Sequence, residues 1–146
     1  MKQRIEGYTR SLSPAVSIRP AVSEDDAVIT RLIALFPDKL VQDERPETDR
    51  FFVAEFEGRV VACCALDVYS KRLAEIRSLA VDPDHSRLGV GRLLVQACQR
   101  KARELGVRQL LAVSSAVEFF EKAGFSTFRQ ERTALFFDIE TGVSGN

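Results

Sequence analysis

The apolar positions of this chain change period several times, and each change marks an element. Val16 to Ala21 reads as a first strand, and Ser23, followed by Glu24, Asp25 and Asp26, supplies an N-cap with acids in the first turn of a helix. Val28, Ile29, Leu32, Ile33 and Phe36 then recur at helical spacing, and Pro37 stops the run. From Asp38 to Arg50 the pattern is polar and broken, which predicts a loop or a short irregular helix. Phe51 to Phe56 and Val60 to Val68 are apolar runs joined by Glu57-Gly58-Arg59, a hairpin signature. Tyr69 to Arg72 connects to a strand from Leu73 to Val81 in which Glu75 and Arg77 interrupt apolar residues.

A helix from about Gly89 to Leu105 places Val90, Leu93, Leu94, Ala97, Ala102 and Leu105 on one stripe and ends at Gly106. Gln109 to Val113 predicts a short buried strand, and Ser115 to Ala123 a helix capped by Gly124. Phe125 to Gln130 and Thr133 to Ile139 predict a closing strand pair. Residues 1–15 carry little periodicity and read as an arm, residues 141–146 as a frayed tail, and residues 16–140 as one domain. A mixed sheet with helices on both faces satisfies these elements, an α/β arrangement of the α+β kind.

The passage from strand to helix between Leu79 and Leu94 carries the clearest chemistry. Backbone N–H groups at the start of a helix lack intrahelical partners, and the helix dipole adds partial positive charge there. Gly89 and Gly91 allow an anion to approach that backbone closely, and Arg87 and Arg92 flank the turn with guanidiniums suited to phosphate oxygens. Gly89-Val90-Gly91 lacks the third glycine and the acidic ribose partner of a dinucleotide site, and no Gly-Lys-Ser/Thr appears. A plain strand-to-helix turn containing two glycines is the structural alternative.

Composition narrows the rest. The 146 residues are 45% hydrophobic and balance 21 basic against 21 acidic side chains, so net charge gives the molecule no reason to seek nucleic acid or an anionic membrane. Charge is uneven, however: His85 to Arg108 holds six bases against one acid, Glu104, which suits a multiply phosphorylated ligand beside the glycine turn. Cys63, Cys64 and Cys98 form no C-x-x-C pair and sit in apolar runs, which favours core packing over a disulfide framework, a metal site or a nucleophile. The charged N-terminal residues Lys2, Arg4, Glu6 and Arg10 leave no apolar stretch for a leader or a membrane span, so a cytoplasmic location is expected.

The run Leu79-x-Val81, Pro83, Gly89-x-Gly91 and the helix behind it resembles the acetyl-coenzyme A segment of the GNAT superfamily of N-acetyltransferases. Ala116-Val-Glu-Phe-Phe-Glu-Lys-Ala-Gly-Phe125 is similar to the short helix and Gly-Phe exit of the same family, and the likeness covers roughly residues 17–140. It implies a mixed, mostly antiparallel sheet of six to seven strands, with helices on both faces and a splay between the fourth and fifth strands. Acetyl-CoA is then the implied cofactor, with its pantetheine arm against the backbone of Leu79, Ala80 and Val81. Its phosphates would lie over Ser86, Arg87, Leu88, Gly89, Val90, Gly91 and Arg92. Ser86 stands where the family usually has Arg or Gln, which shifts weight onto backbone N–H groups.

The same resemblance assigns roles to side chains. Glu75 matches the strand position of the catalytic Glu in the histone-acetyltransferase branch, where it would take a proton from the acceptor amine; pairing with Arg77 or a neighbouring strand is the structural alternative. Phe120 stands at the position of a thiolate-protonating Tyr, and a phenyl ring cannot donate. Water, Ser114, Ser115 or Tyr69 would then have to serve. Phe119 and Phe120 otherwise read as core or as walls of the cofactor cleft. His85 occupies a turn position at which packing and an acid–base role are both open.

The segments Ala62–Leu66, Ala74–Val81 and Glu118–Phe125 together look like the acetyltransferase domain of bacterial N-acetylglutamate synthases. That implies a small-molecule amine acceptor, possibly an amino acid such as glutamate, with Arg77 as a carboxylate clamp and Tyr69 and Ser115 on the acceptor side. Ser115 appears where the synthases usually place an Arg for the substrate carboxylate. The family often forms homodimers. A protein N-terminus or lysine as acceptor, and a non-catalytic acyl-CoA-binding regulatory module, remain open alternatives.

Overall fold

Turn chemistry and strand burial set the order of the sheet. The computed structural model describes residues 15–127 and 135–140. Strands β1 (Val16–Pro20), β2 (Phe51–Phe56), β3 (Arg59–Val68), β4 (Leu73–Val81) and β5 (Gln109–Ala112) lie side by side in that order. The first three pairings are antiparallel and the last is parallel, as its helical crossover requires. Glu57 and Gly58 both take positive φ, 52° and 76°, the two-residue turn whose twist matches a hairpin. Val61 to Asp67 are buried throughout, because β3 is central and covered on both faces.

Helix α1 (Asp26–Ala34) follows a 3₁₀ turn at Ser23–Asp25, and α2 (Val90–Glu104) bridges β4 and β5. Ile29, Leu32 and Ile33 of α1 pack with Phe51, Val53, Cys63, Ala65 and Ala80, which defines one face of the sheet. Cys64 points the other way, and its Sγ meets the Sγ of Cys98 on α2 at 3.8 Å. All three thiols are free and buried. Burial pushes the Cys63 thiol up to about 12, so the cysteines behave as small core hydrophobes.

One irregularity decides which side chains share a face. Cys63 pairs with Ala80 and Ala65 with Arg77, so the single residue Cys64 lies opposite the two residues Ser78 and Leu79. This is a β-bulge, and Ser78 adopts φ 55°, a left-handed conformation uncommon outside glycine. The Cys63 thiol reaches the Ser78 carbonyl at 3.6 Å. Because the bulge absorbs one residue, Glu75 and Arg77 face the same side as Ala80, toward α1. Regular alternation from Ala80 would have sent them to the α2 side.

The chain divides into two compact units, residues 1–113 and 114–146. In the second, α3 (Val117–Lys122) ends at Gly124, φ 97°, and Phe120 packs edge to face against Phe119 and Phe125 with centroids 5.0 and 5.2 Å apart. The expected count of six to seven strands is corrected to five among the described residues. Residues 125–127 and 135–140 hold no strand, and the rest of that predicted pair lies outside the described residues. Leu135, Phe136, Phe137 and Ile139 are largely exposed, and strand propensity needs a half-buried pleated surface to be realised. The expected N-terminal arm and C-terminal tail, apart from Ala15, also lie outside the described residues.

The start of α1 is fastened by a buried acid. Asp25 accepts both Arg19 guanidinium nitrogens, at 2.8 and 3.0 Å, and the Val22 N–H at 2.7 Å. The hydrogen bonds from Arg19 hold its carboxyl below the ordinary 3.8, against the opposing cost of desolvation. The folded carboxyl therefore binds its proton more weakly than the unfolded one, so its stabilisation is complete above about pH 4 and is lost as pH falls through the lower folded value. Asp25→Ala is expected to lower the unfolding free energy by about 1–3 kcal/mol at neutral pH. Urea titrations should also show a flatter acid limb for the variant than for the wild type.

Candidate active site

Strand β4 is paired with β3 along its length but with β5 only from Leu73 to Ile76, opposite Gln109 to Ala112. From Arg77 to Val81 its second edge meets no strand among the described residues. An unpaired edge presents N–H and C=O groups to whatever extended chain lies along it. Leu79, Ala80 and Val81 stand on this segment, where the sequence places them. Leu79 and Val81 are half-buried and Ala80 is buried in the α1 core, so what the segment offers on this edge is backbone.

The open edge leads directly into the glycine turn. Asp82 accepts the Asp84 N–H on its side chain at 2.9 Å and the His85 N–H on its carbonyl at 2.8 Å, which starts a 3₁₀ turn over Pro83–Leu88. Ser86, Arg87, Leu88 and Gly89 are exposed. Gly89 takes φ 71°, ψ 19° and caps α2 without any side-chain hydrogen bond. A Cβ built on Gly89 would meet no atom within 4 Å, so the space over the turn is open. Leu93 is the first residue of α2 to bond back, at 3.3 Å to Gly89, and the N–H groups of Val90, Gly91 and Arg92 precede the helical ladder. The first turn of α2 contains no acid. The Arg87 and Arg92 side chains are exposed and have no partner among the described residues. His85 packs against Phe56, centroids 5.6 Å apart, with Nδ1 at 3.6 Å from Asp82.

At the other end of β4 stands a polar cluster. The Tyr69 hydroxyl donates to Oε1 of Glu75. The alternative pairing of Glu75 with Arg77 is not made, because Arg77 turns to Asp67 at 3.1 Å. Asp67, directly opposite Glu75 in register, also accepts Arg50 at 2.7 Å. Sequence reasoning missed Arg50, Asp67 and the Ser78 bulge. The first two are separated from Arg77 by 27 and 10 positions, and only the sheet register brings them together. Although the Tyr69 ring is half exposed, its phenol is pushed up to about 12, first by desolvation and then by the hydrogen bond and charge of Glu75.

Ser115 is exposed in the second unit, next to Ser114, whose Oγ accepts the Ala116 N–H at 2.9 Å. Phe119 and Phe120 belong to the aromatic cluster of α3, and Phe120 is buried there. Among the described residues no group of His, Cys, Asp and Glu is disposed to hold a metal, and no helix is long and apolar enough to cross a membrane.

Comparison with known proteins agrees with this geometry. The model of the acetyltransferase (GNAT) domain matches residues 47–127, a stretch that runs across the boundary between the two units. The chain belongs to the GNAT acetyltransferase domain family. Within that family it is similar to proteins that act on amino acids by name. An amino-acid acetyltransferase of Mycobacterium tuberculosis is 32% identical over 117 residues, 75% of this chain and 67% of that protein. An uncharacterized N-acetyltransferase of Chlorobaculum tepidum is 40% identical over 81 residues, 56% of this chain and 52% of that protein. The N-acetylglutamate synthase of Neisseria gonorrhoeae, solved with coenzyme A and N-acetyl-glutamate, superposes with a TM-score of 0.67 at 30% identity over 78% of this chain and 29% of its own. The chain thus spans about half of the Chlorobaculum relative and under a third of the Neisseria enzyme.

Spectrophotometric titration of the phenols, read as the difference between wild type and Tyr69→Phe, is expected to place Tyr69 near 12. In a Glu75→Gln background the same difference should move part of the way back toward 10, since desolvation remains.

Proposed function

We propose that this chain is an N-acetyltransferase that moves the acetyl group of acetyl-CoA to the primary amine of a small molecule, an amino acid such as glutamate among them, by direct attack. The observation that carries the reading is the continuity of β4: a free backbone edge from Arg77 to Val81, an open αL glycine on the helix behind it, and a Glu–Tyr pair on the strand ahead of it. The solved relatives with coenzyme A bound support the same ligand for this fold.

The residues present fit the cofactor. Open space over Gly89 and the unbonded N–H groups of Val90, Gly91 and Arg92 form a cradle for pyrophosphate, with Ser86, Arg87 and Leu88 along its rim. Leu79, Ala80 and Val81 offer main-chain groups to an extended arm, and a backbone N–H of this segment can face a developing oxyanion. Acetyl-CoA, when bound, supplies the acetyl group as an activated thioester.

An alkylammonium has a pKa near about 10.4, so a base must free the attacking nitrogen near neutral pH. Glu75 takes that proton on its carboxylate, and the Tyr69 hydroxyl fixes the carboxylate's orientation. Phe120 has no proton to give and sits in a ring cluster, which leaves it a packing role and leaves Tyr69 as the phenol nearest the base.

Calorimetric titration with CoA and a thiol-release assay with acetyl-CoA and an amine panel test the reading. Saturable binding with thiol release for amino acids is expected; binding without release for any amine would make the chain a coenzyme-binding module. Glu75→Gln is expected to lower kcat by about a hundredfold or more, with Tyr69→Phe costing roughly tenfold. Gly89→Val, forced into a left-handed conformation at a cost of about 1–2 kcal/mol, is expected to weaken CoA binding at least tenfold while the domain stays folded.

A further inference from the structure

A hollow of about 220 Å³ lies at the end of the sheet, and none of the groups assigned above to acetyl transfer lines it. Val28 and Arg31 reach it from α1, Arg59, Val60 and Val61 from the start of β3, and Asp82 from the position that follows β4. Val28 and Arg31 share a helix face, three positions apart, and Val28 and Val60 are half-buried against the α1 core. β3 pairs with one edge of β4, while the open edge of Arg77 to Val81 is on the β5 side. The hollow and the open edge therefore lie on opposite sides of the strand.

The lining specifies a class of ligand. Val28, Val60 and Val61 supply apolar wall. The exposed Arg31 and Arg59 guanidiniums have no hydrogen-bond or ion-pair partner among the described residues. Asp82 sets one carboxylate against these two cations, so the hollow keeps a surplus positive charge. A dry cavity of about 150 Å³ already holds benzene, so this one has room for a ring or a short branched chain with one carboxylate attached. The carboxylate would take charge-assisted hydrogen bonds from the two guanidiniums and the hydrocarbon would cover the valines. A bare inorganic anion leaves the valines uncovered, and a neutral molecule leaves the cations unanswered.

Asp82 joins the hollow to the glycine turn. Its N–H donates to the Val61 carbonyl at 2.9 Å, and its Oδ1 accepts the Asp84 N–H at 2.9 Å. Its Oδ2 stands 3.6 Å from Nδ1 of His85, a buried nitrogen with no hydrogen-bond partner among the described residues, and that gap is too long for a hydrogen bond. A carboxylate arriving in the hollow repels Oδ2. If Oδ2 closes the gap, His85 with its proton on Nδ1 gains a partner and the turn stiffens. We propose that the hollow is a regulatory site for a small organic carboxylate with a compact apolar body, and that its occupation raises affinity for CoA through Asp82 and His85. The second half rests on the coenzyme reading of the turn; the first half does not.

Benzoate, isovalerate and inorganic phosphate serve as probes, with benzamide as the neutral analogue, and amide NMR follows each titration of the full chain. Saturable shifts at Arg59, Val60, Val61 and Asp82 are expected for both organic acids, with dissociation constants of about 1 mM or tighter. Benzamide should bind about tenfold more weakly or worse, and Arg31→Ala and Arg59→Ala should each weaken benzoate by about tenfold. Both variants should bind CoA as the wild type does when no benzoate is present, because the two side chains are exposed and partnerless. Calorimetric titration should find CoA bound about fivefold more tightly with saturating benzoate than without it, a gain that His85→Leu removes while benzoate still binds. No saturable binding of either acid, equal binding of benzamide or of phosphate, or wild-type affinity in both arginine variants overturns the site. Displacement of benzoate by CoA also overturns it, because the hollow would then be part of the coenzyme cleft. Unchanged CoA affinity with benzoate bound overturns the coupling alone. Failure of CoA to bind at all removes the coenzyme reading and the coupling with it, while the anion titration still decides the site.

Discussion

The bulge at Ser78 is the constraint on which the site depends. A strand that must bury Ala80 under α1 and also aim Glu75 and Arg77 at that same side cannot do both with strict alternation, because an odd number of positions separates them. Ser78 resolves the conflict by taking a left-handed conformation, at a cost of about 1–2 kcal/mol for a residue with a Cβ, and the Cys63 thiol lies against its carbonyl. The same kink falls just after the last β4–β5 pair, Ile76 with Ala112. Register and facing are thus set by one residue, and the free edge begins beside it.

Burial arranges the rest around that strand. β3 is sealed on both sides, by α1 against Cys63 and Ala65 and by α2 against Cys64, so its polar end at Asp67 has to be neutralised by neighbours rather than by water. Arg50 and Arg77 do this from two different strands' surroundings. The polar cluster consequently sits on a stiff central sheet, while the glycine turn is built on an exposed loop stiffened by Asp82.

Much of this was legible in the residues. Glu57-Gly58 announces a hairpin because few pairs accept two positive φ angles, and Gly89 announces a cap for the same reason. The stripe of α2, the acidic start of α1 and the Gly89-x-Gly91 turn are local patterns, and local patterns survive in a linear reading. Ser78 was not legible: Leu73 to Val81 reads as one continuous strand, and nothing in Arg-Ser-Leu-Ala marks a bulge that depends on the partner strand. Arg50 and Asp67 were hidden for a related reason, since their meeting is a product of register. The predicted final strands are not formed at 125–127 and 135–140, where the apolar side chains 135–137 and 139 are largely exposed, and the rest of that pair lies outside the described residues.

The four charges of the cluster, Arg50 and Arg77 against Asp67 and Glu75, sum to zero, and the whole chain does too. Such a group acts at contact distance and projects almost no potential past a Debye length, about 8 Å at physiological ionic strength. These four charges therefore add no net long-range attraction or repulsion of their own for diffusing solutes.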